Sequence, residues 1–172
     1  FPCFTHEQIK EINKEIKKHQ LEKEAPVKAA TARNKTGNFY HIPCSPLMNL
    51  VHPWLEGCQK TNRNFFGFNI DWQFHLDYFN YNVYGLGGKY DWHIDAGPTE
   101  HPARDIKLTC LLNLSEEPYE GGELCLIAYS NPIELTPGMG VLFNSLIAHK
   151  ITPVTKGKRI TLSYWAQGLP WR

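Results

Sequence analysis

The sequence predicts an α+β protein that is mainly β, a jelly roll with N-terminal helices packed on one sheet. The first observation is a series of seven short segments rich in aromatic and β-branched residues, separated by Gly, Pro and Asn. Segments of this kind at this spacing are typical of a β-sandwich or jelly roll. The second observation is a pair of helical patterns before residue 65. We therefore expect a single domain over 1–172, with a helical support region at 1–64 and a jelly-roll core at 65–172.

The first helical pattern begins with a capping box formed by Thr5 and Gln8. An apolar stripe follows on one face, and the opposite face is rich in Lys and Glu through about residue 24. The stripe consists of Ile9, Ile12 and Ile16. The polar segment 31–38 contains a glycine and is expected to be a loop.

The second helix is expected to begin at Ser45-Pro46, because proline is favoured at the first position of a helix. Pro53 is expected to break or restart it, and the helix should end near Asn62. The β segments follow. They are 73–84, 89–95, 106–114, 122–128, 139–144, 149–154 and 159–166.

Composition narrows the classes of function. Lys plus Arg number 18 and Asp plus Glu number 17, so the formal charge of 18 − 17 = +1 gives no signal for a polyanionic partner. No apolar run is long enough to span a membrane, and no signal segment is recognisable at the start. The five cysteines form no CxxC pair. We expect an intracellular, cytoplasmic protein that binds neither membranes nor nucleic acids, and the oligomeric state stays open.

Two His-x-Asp triplets occur, at 75–77 and at 93–95. Alternation along a strand puts the His and the Asp of such a triplet on the same face. The first triplet lies inside a long alternating segment, where a polar pair on an exposed face needs no metal. The second follows a Gly-Leu-Gly-Gly turn at 85–88 and precedes a polar loop, and functional residues concentrate in such positions. With His149, His93 and Asp95 would form a two-histidine, one-carboxylate set suited to non-haem Fe(II).

Several motifs follow the second triplet in a fixed order. Residues 119–124 read Tyr-Glu-Gly-Gly-Glu-Leu, and residues 137–143 read Pro-Gly-Met-Gly-Val-Leu-Phe. Residues 149–154 read His-Lys-Ile-Thr-Pro-Val, and residues 157–165 read Gly-Lys-Arg-Ile-Thr-Leu-Ser-Tyr-Trp. Over about residues 81–167, this order closely resembles the prolyl 4-hydroxylase-like branch of the 2-oxoglutarate/Fe(II)-dependent dioxygenases.

The resemblance implies a double-stranded β-helix and assigns roles residue by residue. His93, Asp95 and His149 match the iron ligands. Arg159 matches the basic residue that binds the distal carboxylate of 2-oxoglutarate, Tyr84 matches a tyrosine that hydrogen-bonds the same carboxylate, and Thr161 could add a further contact. Three aromatic residues flank these motifs and are candidates for the substrate pocket, with a role in the core as the alternative. They are Tyr90, Trp92 and Trp165.

The assignment of Arg159 also has a physical basis. A guanidinium presents a planar fork of donors that matches a carboxylate, and it stays charged when buried. On a strand, Arg159 and Thr161 point to the same face. The alternative is an ordinary surface cation. Nucleic-acid demethylases of the wider superfamily resemble the chain less, because they carry a second arginine where this chain has Trp165.

The implied reaction is hydroxylation of a C–H bond with Fe(II), 2-oxoglutarate and dioxygen, giving succinate and carbon dioxide; a requirement for ascorbate stays open. The substrate implied by the resemblance is a prolyl residue in a peptide or protein. Two alternatives stay open. One is a hydroxylase of free proline or another small molecule, and the other is a non-catalytic jelly-roll binding module.

Overall fold

The computed structural model describes residues 1–19, 35–72, 78–96 and 103–171. The described helices are α1 (His6–His19) and α2 (Met48–Thr61), with a 3-10 turn (Ser45–Leu47) before α2 and a π-helical turn (Asn62–Phe66) after it. The strands are β1 (Lys35–Thr36), β2 (Asn38–Pro43), β3 (Tyr78–Tyr84), β4 (Lys89–His93), β5 (Asp105–Asn113), β6 (Glu120–Gly121), β7 (Leu124–Leu126), β8 (Gly140–Asn144), β9 (His149–Ile151), β10 (Val154–Lys156) and β11 (Arg159–Gly168).

The strands form antiparallel sheets. The major sheet has the order β2-β3-β11-β5-β8, and the minor sheet has the order β1-β4-β9-β7. Strands β6 and β10 form a separate pair. Because neighbours in the major sheet are distant in sequence, this topology brings residue 84 beside residue 159 and residue 109 beside residue 165. The mainly β fold class predicted from the sequence is confirmed.

Two apolar clusters divide the molecule into layers. One face of the major sheet packs against α1 and α2, and alternate residues of β11 (Leu162, Tyr164 and Ala166) lie in this cluster. The second cluster joins the opposite face of the major sheet, which contributes Leu111 and Phe143, to the minor sheet, which contributes Leu124 and Ile151. The polar side chains of β11 therefore face the space between the two sheets.

Helix α1 forms as its sequence predicts. The backbone N–H of Thr5 donates to Gln8 Oε1 at 2.9 Å, and the Gln8 N–H donates to Thr5 Oγ1 at 3.4 Å, which completes the capping box. Ile9, Ile12 and Ile16 are buried on its inner face. The prediction that the helix reaches residue 24 concerns positions outside the described residues.

Helix α2 corrects the prediction for Pro53, which neither breaks nor restarts the helix. A proline at this position removes one hydrogen bond of the helix. Val51, Trp54 and Leu55 are all buried around it, and their packing outweighs that loss. Among the described residues, no helix is both long enough and apolar enough to cross a bilayer.

The predicted loop at 31–38 is also corrected, because Lys35–Thr36 pairs with β4 and Asn38 opens β2 on the edge of the major sheet. The region 1–64 thus contributes a strand to the major sheet in addition to its helices. The triplet at 75–77 and the first part of the predicted strand 73–84 lie outside the described residues. Strand 122–128 is shorter than predicted, and 149–154 is split into β9 and β10.

One buried polar residue, Asn13, fastens α1 to the major sheet. Its amide donates to the backbone oxygen of Leu114 at 2.8 Å and to Glu116 Oε1 at 2.9 Å. Its Oδ1 accepts a hydrogen bond from the Tyr81 hydroxyl at 3.1 Å. The sequence pattern of the helix does not reveal this role, because the partners lie far along the chain.

Asn13→Ala is expected to lower the free energy of unfolding by about 2 kcal/mol, because it leaves the buried groups of Leu114 and Tyr81 without a partner. The measurement is urea unfolding followed by far-UV circular dichroism. Lys14→Ala, on the exposed side of the same helix, is the matched control and should change stability little. Equal stability of both variants would show that Asn13 does not fasten α1.

Candidate active site

Three metal-ligating side chains meet at one end of the minor sheet. Strands β4 and β9 place His93 directly opposite His149, and Asp95 lies just beyond the end of β4. The backbone N–H groups of Asp95 and Ala96 both donate to the Ser145 oxygen, at 3.1 and 3.0 Å, which fixes this turn. One ligand atom from each of the three side chains lies within 4.8 Å of the others.

Both imidazoles are oriented by backbone carbonyls. His93 Nδ1 lies 2.7 Å from the Asp91 oxygen, and His149 Nδ1 lies 3.1 Å from the Ile147 oxygen. A carbonyl only accepts hydrogen bonds, so each Nδ1 carries a proton and each Nε2 is the atom that a metal would take. The two Nε2 atoms face the Asp95 carboxylate at 3.5 and 3.4 Å.

The Asp95 carboxylate is buried and accepts a hydrogen bond from a side chain of β5. Thr109 donates a hydrogen bond to Asp95 Oδ2 at 2.7 Å, and Thr109 itself is 1 % exposed. Burial raises the pKa of Asp95, but the hydrogen bond to His93, the charge of His149 and the Thr109 hydroxyl together lower it below its ordinary value. The carboxylate is therefore ionised, as a metal ligand must be.

An irregularity in the β4–β9 pairing decides which aromatic residue faces the metal ligands. The register shifts between Tyr90 and His93, so these two residues, three apart in sequence, face the same side. Their rings stack with centroids 3.5 Å apart. The structure corrects the prediction for Trp92, which is 47 % exposed and lies on the outer face under Lys150. Simple alternation would have put Trp92 beside Tyr90.

The donor set fits a metal that needs free coordination positions. Two imidazole nitrogens and one carboxylate oxygen come from one side, and this is the ligand type and number of non-haem Fe(II) oxygenases. Within the described residues this is the one group of three His, Cys, Asp or Glu side chains close enough to share an ion. The remaining positions are left for a cosubstrate and dioxygen.

The cavity continues from the metal ligands to the major sheet. Arg159 at the start of β11 pairs with Tyr84 at the end of β3, and Thr161 follows on the same face. Tyr84, Arg159 and Thr161 are 3 %, 2 % and 1 % exposed, so Arg159 is not an ordinary surface cation. Trp165 lies farther along the same wall.

The buried guanidinium of Arg159 fits an incoming carboxylate. Among the described residues, no Asp or Glu forms an ion pair with it. Burial lowers its pKa, although Tyr84 and Tyr119 oppose that shift, and arginine remains protonated in proteins. A buried charge without a counter-ion is unfavourable, so the site favours a ligand that supplies a negative group.

Sequence reasoning missed several residues that line this cavity. Lys35 lies in a strand that is only two residues long, and Thr109 comes from a strand without any recognisable motif. Asn82 and Ser163 hydrogen-bond to each other at 2.8 Å across β3 and β11. Asn82 lies two residues before Tyr84, and Ser163 lies two residues after Thr161. This alternation is the one sequence signal that could have identified them as cavity residues.

Thr109→Val is expected to weaken Fe(II) binding roughly tenfold, because the Asp95 carboxylate loses the donor that orients it. The measurement is anaerobic competition with a chelator. Thr155→Val removes an exposed threonine hydroxyl and should leave the affinity unchanged. Equal affinities in the two variants would mean that Thr109 does not support the ligand.

The fold and the donor set together match those of the iron- and 2-oxoglutarate-dependent oxygenases. The profile of the 2OG-Fe(II) oxygenase superfamily matches residues 79–167, and the chain belongs to this superfamily. Its His93, Asp95 and His149 form the kind of ligand group with which this superfamily holds Fe(II).

The chain is similar in sequence to bacterial PKHD-type hydroxylases. It is 35 % identical over 96 residues to one from Janthinobacterium sp. (strain Marseille) and 38 % identical over 97 residues to one from Parvibaculum lavamentivorans. Each match covers 52 % of this chain and 42 % of the relative. The chain thus spans less than half the length of these relatives.

Solved structures share the fold at low sequence identity. The viral collagen prolyl hydroxylase of Paramecium Bursaria Chlorella virus-1, in complex with 2OG, superposes with a TM-score of 0.71 at 14 % identity, covering 98 % of this chain and 93 % of that one. A Pseudomonas putida prolyl-4-hydroxylase superposes with a TM-score of 0.67 at 16 % identity, covering 98 % and 90 %. The double-stranded β-helix expected from the sequence agrees with this likeness.

Proposed function

We propose that this chain hydroxylates a prolyl residue in a peptide or protein. The observation that carries the proposal is a second groove that continues from the cavity at Trp165, which lines both. The groove crosses β2, β3 and β11, and its wall includes His41, Asn80 and Gln167. Polar side chains that form hydrogen bonds suit the backbone amides of an extended peptide.

The names of similar proteins support the same substrate class. Two solved structures with this fold are a collagen prolyl hydroxylase and a prolyl-4-hydroxylase. Each of these proteins is named for the hydroxylation of proline. These names make prolyl peptides the first compounds to test.

In the proposed site, His93, Asp95 and His149 hold Fe(II). When bound, iron, 2-oxoglutarate and dioxygen supply the oxidising power that inserts oxygen into a C–H bond, with succinate and carbon dioxide as products. Arg159 binds the distal carboxylate of 2-oxoglutarate through its planar fork of donors, and Tyr84 adds a hydrogen bond to the same group. Thr161 lies on the same wall and is the third contact.

The remaining cavity residues orient the reactants and keep water out. Tyr90 covers one face of the His93 ring and so fixes its direction. Trp165 lines both the metal cavity and the groove, which supports a contact with the residue that is hydroxylated. Orientation of this kind is the main contribution that a protein makes when cofactors supply the chemistry.

The test is mass spectrometry after incubation with Fe(II), 2-oxoglutarate and a library of proline-containing peptides. The expected result is a product heavier by one oxygen atom on proline, together with an equal amount of succinate. Matched peptides with alanine in place of proline should stay unmodified. Oxidation of free proline without oxidation of any peptide would support the small-molecule alternative.

If the protein failed to bind iron and 2-oxoglutarate together, that result would support the alternative of a non-catalytic jelly-roll binding module. Anaerobic titration, followed by the visible charge-transfer band, measures that binding directly. The intact set of His93, Asp95, His149 and Arg159 argues against such a loss of function.

A further inference from the structure

The guanidinium of Arg159 has two tyrosines among its neighbours, of which sequence reasoning identified one. The Arg159 Cζ atom is 5.4 Å from the centroid of the Tyr84 ring. The side chain of Tyr119 lines the same cavity as Arg159, and it opposes the fall in the arginine's pKa that burial causes. Because an arginine only donates, the Tyr119 hydroxyl oxygen is the group that would accept a hydrogen bond from it.

The Tyr119 hydroxyl is itself fixed by a fully buried residue. Asn113 is 0 % exposed, and its amide donates to the Tyr119 hydroxyl at 2.9 Å and to the Leu135 oxygen at 2.6 Å. The Asn113 Oδ1 accepts a hydrogen bond from the Ser115 N–H at 2.9 Å. Both amide hydrogens and the carbonyl of Asn113 are therefore engaged, and the amide has a single favourable orientation.

The backbone closes the space beside the aliphatic part of Arg159. A Cβ atom built on Gly122 would lie 2.8 Å from Arg159 Cδ, so the turn after Tyr119 packs directly on this side chain. The long arginine side chain is thus confined along its length by Gly122 and at its head by Tyr119. An unconfined arginine has many rotamers, and each bound conformation costs entropy.

We propose that Tyr119, held by Asn113, is a positioning residue that orients the Arg159 guanidinium toward the distal carboxylate of 2-oxoglutarate. The proposal rests on the cosubstrate role proposed above for Arg159. Without the hydroxyl, one guanidinium N–H loses its acceptor, and the fork is free to rotate away from the carboxylate. The Arg159 guanidinium is then no longer held in its binding orientation, so the affinity for 2-oxoglutarate falls.

The test compares two 2-oxo acids in the same variant. Tyr119→Phe is titrated anaerobically, in the presence of Fe(II), with 2-oxoglutarate and with 2-oxopentanoate, which has the same chain length but no distal carboxylate. We expect the dissociation constant of 2-oxoglutarate to rise roughly tenfold, a typical effect for a hydrogen bond to a charged group, while that of 2-oxopentanoate stays the same. Tyr129→Phe, which removes an exposed tyrosine hydroxyl, is the matched control and should leave both constants unchanged.

A variant that also carries Arg159→Gln gives a second measurement. In that background Tyr119→Phe should have no further effect on 2-oxoglutarate, because the group that Tyr119 positions is gone. Equal loss of affinity for both 2-oxo acids would overturn the proposal, since it would indicate general damage to the metal site. Unchanged 2-oxoglutarate affinity in Tyr119→Phe would also overturn it. Failure of the wild-type protein to bind 2-oxoglutarate would instead overturn the role of Arg159.

Discussion

His149→Ala is expected to abolish 2-oxoglutarate turnover, with a loss of at least about a hundredfold in succinate release. Second-sphere residues of metal sites already contribute 10- to 100-fold, and a direct ligand contributes more. His149 is 4 % exposed and lies opposite His93 across two paired strands, so no other described side chain is placed to replace it. Its loss leaves one imidazole and one carboxylate to hold the iron.

The measurement for this variant is succinate release together with anaerobic iron binding. His52→Ala is the matched control, because the His52 side chain is 66 % exposed and lies on α2. The control should retain both iron and turnover. If His149→Ala kept wild-type turnover, the assignment of the three iron ligands would be wrong.

Arg159→Gln is expected to raise the dissociation constant of 2-oxoglutarate on the order of a hundredfold, because it removes a buried charge that meets the distal carboxylate. Iron binding should stay close to that of the wild type, since Arg159 does not belong to the ligand group. Arg159→Lys keeps the charge but loses the planar fork, and we expect an intermediate affinity.

The measurement is an anaerobic titration of the iron-loaded protein with 2-oxoglutarate. Lys158→Gln removes the neighbouring exposed cation and serves as the control for a general charge effect. If Lys158→Gln weakened binding as much as Arg159→Gln, the attraction would be long-range and the buried fork would have no special role.

Local periodicity accounts for much of what the sequence predicts about this protein. The alternation of β11 predicts that Arg159 and Thr161 share a face, and the structure places both on the cavity wall. The isoleucine stripe and the capping box predict α1. The family resemblance predicts that His149 lies beside His93. Local sequence does not, because strands this far apart in sequence carry no local signal for their pairing.

What the sequence does not predict depends on distant contacts. The register shift between Tyr90 and His93 turns Trp92 outward, and no residue in the sequence predicts this shift. Pro53 stays within the helix because the packing of the buried residues around it outweighs the lost hydrogen bond. Tyr119 stands beside a Gly-Gly turn in sequence, and its relation to Arg159 appears only when strands β5 and β11 are paired.

The division of the site between the two sheets has a consequence for the lifetime of the protein. The proposed iron ligands lie on the minor sheet or, for Asp95, just beyond the end of β4, whereas Arg159 and Tyr84 belong to the major sheet. Iron with 2-oxoglutarate would therefore join the two sheets across the cavity, like a removable cross-link. Ligands that bind only the folded state stabilise it by mass action, by about 2.7 kcal/mol at a hundred times the dissociation constant. The supply of iron and 2-oxoglutarate would then set how often the sheets separate, and hence how readily proteases degrade the chain.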